Sequence, residues 1–279
     1  MRLGDQIEQD WNAAYAALTW QIDCGVDDFI LDEPLDRFAL PEARAVEVRA
    51  PAAPERPASA PPGAPRPAAY APPPERPKID PVVEATQAAA RAKTLEALRA
   101  EIEAFSHCEL KQGARTTVFA DGNPKARVLI LGEAPGRDED QEGRPFVGRA
   151  GQLLDLMFAA IGLSRTSVDA ETAFYITNVL PWRPPGNRDP EPGEIAMMRP
   201  FVERHIELVA PDVIVAMGNT PLFALTGTRG IMRARGTWAE ALGRPLLPMT
   251  HPAYLLRNPI AKREAWDDLL TLRDRLRGA

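Results

Sequence analysis

Arg127-Val-Leu-Ile-Leu-Gly132 is a short apolar run that ends in glycine, and Glu133-Ala-Pro-Gly136 follows it directly. A run of this length, bounded by Gly and Pro and without polar alternation, reads as a strand buried on both faces. The pattern repeats along the chain. Gly148 to Ile161 carries Leu153, Leu154, Met157, Phe158 and Ile161 at helical spacing, and Phe174-Tyr-Ile-Thr-Asn178 reads as a second strand. Glu191 to Val209 reads as a helix with proline near its start, and Asp212-Val-Ile-Val-Ala-Met-Gly218 as a third strand. Pro245-Leu-Leu-Pro-Met-Thr250 is a weaker fourth, which Pro248 pushes toward an edge or a terminus. Pro259 to Leu276 closes as a helix, and Val82 to Phe105, Ala-rich with few breakers, is expected to be one helix before the first strand. Strands alternating with helices imply an α/β fold: three layers, α/β/α, around a mostly parallel four-stranded sheet.

Composition separates this domain from what precedes it. Residues 51–81 hold 12 Pro and 8 Ala among 31 positions, a segment expected to be a disordered, polyproline-rich linker. Residues 1–50 hold 4 Lys+Arg against 11 Asp+Glu, so the formal charge of -6 belongs to an acidic N-terminal extension. Within it, Asp5 to Trp20 reads as a short helix with Ile7, Trp11, Ala14, Tyr15 and Leu18 on one face. That face either docks on a protein partner or packs on the domain; residues 82–279 are expected to form the main folded domain, and the chain to be monomeric.

No run of 18 apolar residues suggests a membrane span, and Met1 to Asp10 lacks the order of a signal peptide, so a cytoplasmic protein is expected. The two cysteines, Cys24 and Cys108, have neither disulfide-scaffold nor zinc-site spacing. Residues 101–279 balance 22 Lys+Arg against 23 Asp+Glu, which leaves nucleic-acid binding to local patches and backbone amides.

Every strand of a parallel sheet ends on the same edge, and ligands bind outside that edge. Glu133, Asn178 and His251 each follow or end a strand, so a carboxylate, an amide and an imidazole converge on one rim among Gly/Pro-rich loops. Neither a Walker lysine nor a G-x-G-x-x-G loop follows the first strand, which argues against an unrelated nucleotide-handling enzyme.

The ordered set Gly132-Glu-Ala-Pro-Gly-Arg-Asp-Glu-Asp140, Gly143-Arg-Pro-Phe-Val-Gly148, Thr177-Asn178, Arg183-Pro-Pro-Gly-Asn-Arg188 and His251-Pro-Ala-Tyr-Leu-Leu-Arg257 resembles the uracil-DNA glycosylase superfamily, and within it family 4. The resemblance spans about Phe105 to Leu276. It implies hydrolysis of the bond between flipped-out uracil and its sugar in DNA. It further implies that Glu133 positions the attacking water, Phe146 stacks on the base, Asn178 reads its polar edge and His251 stabilises charge on the leaving base. On the same ground Glu139 excludes the thymine methyl. Base flipping needs a wedge, for which Leu255, four positions after His251, is the candidate, and the loop cations Arg183, Arg188 and Arg257 are the candidates for phosphate contacts. A non-catalytic or covalently capturing uracil-DNA binder is the alternative, and the histidine-free segment between Gly136 and Phe146 speaks against the capturing form.

One departure from the family stands out. Family 4 members usually hold a four-iron cluster on four cysteines, whose positions correspond here to Phe105, Cys108, Trp182 and Met198. One thiolate is too few for such a cluster, so neither cofactor nor metal is expected and packing is expected to fill the volume.

Overall fold

The computed structural model describes residues 80–278. The readings of an N-terminal helix over 5–20 and of the acidic extension lie outside the described residues, as does nearly all of the 51–81 linker.

Four strands make the parallel centre of the sheet: β2 (Val128–Gly132), β3 (Phe174–Asn178), β4 (Val213–Met217) and β6 (Arg244–Met249). Two short antiparallel strands, β1 (Ala120–Gly122) and β5 (Ala239–Ala241), add one at each margin, giving the order β1-β3-β2-β4-β6-β5. β5 pairs beyond β6, so the strand carrying Pro248 lies inside the sheet rather than at its edge. The proline costs little there because β5 reaches only to Leu246, short of position 248.

All residues of β2, β3 and β4 are buried, as expected of strands covered on both faces. On one face Leu129, Leu131, Tyr175, Ile214 and Ala216 pack under α1 (Pro81–Arg91), α2 (Leu95–Ala104), α6 (Pro192–Val209) and α7 (Asn219–Thr226). On the other, Val128, Ile130, Phe174, Ile176 and Val215 meet α5 (Arg149–Ala159) and α10 (Lys262–Arg277). Six shorter elements complete the described domain: α3 (Leu110–Gly113), α4 (Arg137–Glu142), α8 (Ile231–Ala234), α9 (Pro252–Arg257) and two 3-10 turns, Pro185–Asn187 after β3 and Pro259–Ala261 before α10.

The single helix expected over Val82–Phe105 is two. α1 stops at Arg91, and Thr94 restarts the chain as the N-cap of α2, its hydroxyl accepting from the Ala97 N–H at 3.2 Å. Ala content does not reveal such a break, whereas a Thr before a fresh apolar stripe does.

Parallel pairing levels the strand ends. Gly132 of β2 lies opposite Asn178 of β3, and Met217 of β4 opposite Met249 of β6. The Gly218 N–H donates to the Met249 carbonyl at 2.9 Å, fixing the two exits side by side. Four loops therefore leave one edge at one height, and the functional residues stand on them.

Candidate active site

Beyond this edge lies a cleft of about 770 Å³ whose wall includes Glu133, Phe146, Asp189, Thr220, His251 and Tyr254. Asn178, at the end of β3, is not part of that wall. Only 6% of it is exposed, and neither its Oδ1 nor its Nδ2 has a hydrogen-bond partner. A Cβ added to Gly132 would lie 2.3 Å from the Asn178 Oδ1 and 2.4 Å from the Phe146 ring, so glycine is what lets amide and ring meet over the end of β2. On its other side Asn178 borders a cavity of about 10 Å³ shared with Phe119, Thr177, Met198 and His205, room for about one water.

Glu133 follows β2 directly. Its Oε2 accepts from the Thr220 hydroxyl at 2.6 Å, and its backbone carbonyl from the Leu180 N–H at 3.0 Å. Burial pushes the carboxyl above its ordinary pKa, the Thr220 hydrogen bond pulls it back, and the nearby Asp189 pushes it up again. The group is a carboxylate of raised basicity, held by one oxygen with the other left over.

His251 is the N-cap of α9, and its Nδ1 accepts from the Ala253 N–H at 3.2 Å. A neutral imidazole in this bond carries its proton on Nε2, which makes Nε2 a donor. Burial, helped by the positive Arg257, lowers the imidazole pKa to about 4, so the ring is neutral at physiological pH. Its centroid is 5.4 Å from that of Phe146, with the rings inclined by 31°.

Glu139, expected beside the thymine methyl position, lines the cleft with a fully engaged carboxylate. Oε2 accepts from Gly136 N–H at 3.1 Å, and Oε1 from Val147 and Gly148 N–H at 3.0 Å each. It is a fixed wall that also holds the Phe146 loop.

The expected DNA contacts fare unequally. Leu255 is fully buried beneath α9 and is not a wedge in this structure. The count of four positions from His251 lands on the inner face of a helix turn, where a leucine packs into the domain. Met232, 49% exposed on α8, is the apolar side chain that the cleft rim does present. Arg183 is half-buried, and its Nε donates to Asn187 Oδ1 at 2.8 Å, so it shapes the Pro-rich loop. Arg188 is exposed at the cleft but forks onto Glu194 at 2.6 and 3.0 Å. Arg257 is exposed at the rim, where Arg229 also stands, its guanidinium 4.6 Å over the Phe223 ring.

Sequence reasoning missed Thr220, Asn219 and Arg229, all of which follow β4. The signal was present: Gly218-Asn-Thr220 ends a strand on the same edge as the three motifs that were read. Asn219 Oδ1 accepts from the Gly230 and Ile231 N–H groups at 3.0 and 2.9 Å, which ties α8 and Met232 to the cleft.

The sequence model of the uracil DNA glycosylase superfamily matches residues 119–270, more than half of the chain. The chain belongs to the uracil DNA glycosylase superfamily. Among superfamily relatives, a type-4 uracil-DNA glycosylase of Thermotoga maritima is 40% identical over 171 residues, covering 60% of this chain and 86% of the relative. The type-4 enzyme of Archaeoglobus fulgidus is 38% identical over 188 residues, 63% of this chain and 90% of the relative. That of Sulfurisphaera tokodaii is 37% identical over 191 residues, with 65% and 84% covered.

The iron–sulfur cluster that the family resemblance implies does not fit the residues here. Phe105, Cys108, Trp182 and Met198 are each at most 4% exposed and belong to one apolar core. Phe105 meets Phe201 edge-on at 5.3 Å between centroids, and the Trp182 Nε1 donates to the Thr117 hydroxyl at 3.1 Å. Burial raises the Cys108 thiol above its ordinary pKa, which disfavours the thiolate that iron would need. Among the described residues no group of three or more His, Cys, Asp or Glu side chains is arranged to hold a metal.

Proposed function

We infer that this chain is a uracil-DNA glycosylase that hydrolyses the N-glycosidic bond of uracil flipped out of DNA, the first step of base-excision repair. The observation that carries the reading is the Asn178 amide, buried with donor and acceptor both unpartnered at the end of β3, where it meets the Phe146 ring over Gly132. A buried amide without partners costs about 1–3 kcal/mol, a cost recovered when a ligand offers the complementary donor and acceptor. The imide edge of uracil does so. Cytosine presents an amino group and an unprotonated ring nitrogen there, the reverse pattern, and mismatches the amide in the orientation that pairs with uracil.

The remaining roles follow from charge development. The C1′–N1 bond breaks with its electron pair leaving on the base, so the sugar becomes oxocarbenium-like and the uracil anionic. The His251 Nε2–H donates to the anionic base and stabilises the transition state more than the ground state. A neutral donor suits this task, because its proton stays in place and no separate titration is required. Glu133 aligns water toward C1′ with its second oxygen, opposes the positive sugar and accepts the water proton as the new C1′–O bond forms. Phe146 supplies the stacking face, Glu139 the wall, and Arg257 and Arg229 phosphate contacts at the rim.

The test is single-turnover release of uracil from a DNA oligonucleotide by the parent chain and two variants. His251→Ala should cleave bound substrate slower by roughly two orders of magnitude or more, while binding to an abasic duplex changes far less. Asn178→Asp should lose discrimination between uracil and cytosine. Parental rates for the first and full uracil selectivity for the second would overturn the site assignment, and no uracil release by the parent would overturn the activity.

A further inference from the structure

Phe146 holds a left-handed backbone, φ 54°, which a bulky L-residue adopts only when its surroundings enforce it. The enforcement is visible on both sides of the residue. Downstream, Glu139 accepts from the N–H groups of Val147 and Gly148. Upstream and at the residue itself, Arg165 donates Nη1 to the Pro145 carbonyl at 2.9 Å and Nη2 to the Phe146 carbonyl at 3.0 Å. Gly151 allows α5 to close against this carbonyl, since a Cβ there would lie 1.7 Å from the Phe146 oxygen.

Arg165 is itself held. Its Nε donates to Asp155 Oδ1 at 2.8 Å and Nη1 to Asp121 Oδ2 at 3.2 Å, its guanidinium lies 5.9 Å from the centre of the Phe174 ring, and its side chain is 9% exposed. Two acids thus aim a rigid fork at two consecutive carbonyls. The arrangement is more than an ion pair, because the acids set the direction and the remaining donors define where the Phe146 ring stands.

We propose that Arg165 is a positioning residue for base recognition, which acts by clamping the strained Phe146 peptide so that the ring presents a stacking face to the flipped base. The proposal rests on the reading of Phe146 as the stacking residue of a uracil-DNA glycosylase. Arg165 touches neither base nor sugar, and its effect passes entirely through Phe146. Lysine keeps the charge between Asp121 and Asp155 but lacks the planar fork, so it cannot hold both carbonyls.

A double-mutant cycle decides the matter, with the parent, Arg165→Gln, Phe146→Ala and the double variant compared in the full chain. Three quantities are read: kcat/KM for uracil release from a single-stranded oligonucleotide, inhibition by free uracil, and affinity for an abasic duplex. In the parent background Arg165→Gln should lower kcat/KM roughly tenfold or more and weaken uracil inhibition, with abasic-duplex affinity held. In the Phe146→Ala background the same substitution should cost nothing further. Arg165→Lys should recover part of the loss, and it replaces Arg165→Gln in the cycle if the glutamine variant does not fold. Costs that multiply across the cycle, or uracil inhibition equal to that of the parent, overturn the clamp while leaving the glycosylase reading intact. A parent that releases no uracil overturns both.

Discussion

At the scale of single residues, the site works by leaving specific atoms without partners and engaging their neighbours fully. Asn178 has both polar atoms open, whereas Glu139 has its carboxylate saturated and His251 has one nitrogen engaged and one free to donate. Motif order in the sequence pointed to these positions, because side chains at strand ends of a parallel sheet must share an edge. What it could not reveal is which atoms are occupied, since that depends on loops folding back from elsewhere. Leu255 shows the limit: its place in the motif suggested a wedge, but a helical turn faces it inward. Thr220 shows the converse, a residue with no motif that sits on the Glu133 carboxylate at 2.6 Å. Its hydrogen bond lowers the Glu133 pKa against the upward push of burial, so Thr220→Val should move the acid limb of the single-turnover pH–rate profile to higher pH. In the proposed mechanism the carboxylate must be ionised to take the water proton, and the variant protonates it sooner as pH falls. Loss of aim should slow the neutral-pH rate about tenfold. An unmoved limb would mean that Thr220 only packs. His251, with its pKa near 4, stays neutral through most of this range, so it should not set that limb.

At the scale of elements, the strands and long helices were readable because burial on two faces and helical stripes both leave periodic traces. The short pieces were not: β1 and β5 have 3 residues each, too few to show a period, and the break between α1 and α2 rests on one capping threonine. Nor was the tie between α6 and the sheet legible. His205, mid-helix in α6, is fully enclosed, bonded through Nε2 to the Tyr175 hydroxyl at 2.9 Å and stacked on Phe119 at 4.6 Å. Burial lowers its pKa to about 3, against about 6.5 in an unfolded chain. Between those values the unfolded state binds a proton that the folded state refuses, so stability is full above about pH 6.5 and declines as pH falls. His205→Gln, which can still pair with Tyr175, removes that term. Urea denaturation of the variant should show a shallower loss of stability between pH 6.5 and 4.5, by up to about 2 kcal/mol. Parallel pH dependences for variant and parent would show that the ring is protonated in place.

At the scale of the whole molecule, the positions Phe105, Cys108, Trp182 and Met198 and the α1–α2 hairpin share one apolar core. Phe105 closes α2 and packs on Phe201 of α6 beside Met198, while Ala85, Ala88 and Ala89 of α1 fill the same core. Where a cluster would cross-link the chain, packing does so here, and the protein should therefore be colourless and indifferent to iron chelation. Protein purified without air that carries near-stoichiometric iron and a visible charge-transfer band would contradict this. The same core locates the domain boundary. Asp80 caps α1, its Oδ1 accepting from the Val82 N–H at 2.9 Å, and Pro81 occupies the first helical turn, where it needs no donor. A cut placed inside residues 80–81 removes the cap and frays the helix that lines the core, at a cost of about 1 kcal/mol. A cut before Asp80 removes none of these contacts. The chain from Asp80 onward should consequently fold, unfold cooperatively and release uracil at the parental single-turnover rate, whereas one beginning at Val82 should melt lower while keeping its activity below the melt. Thermal unfolding and uracil release, measured on both truncations beside the full chain, check the pair. Loss of excision on the longer truncation would mean that residues before Asp80 contribute to the catalytic unit, and equal melting of the two would mean that the Asp80 cap carries no weight.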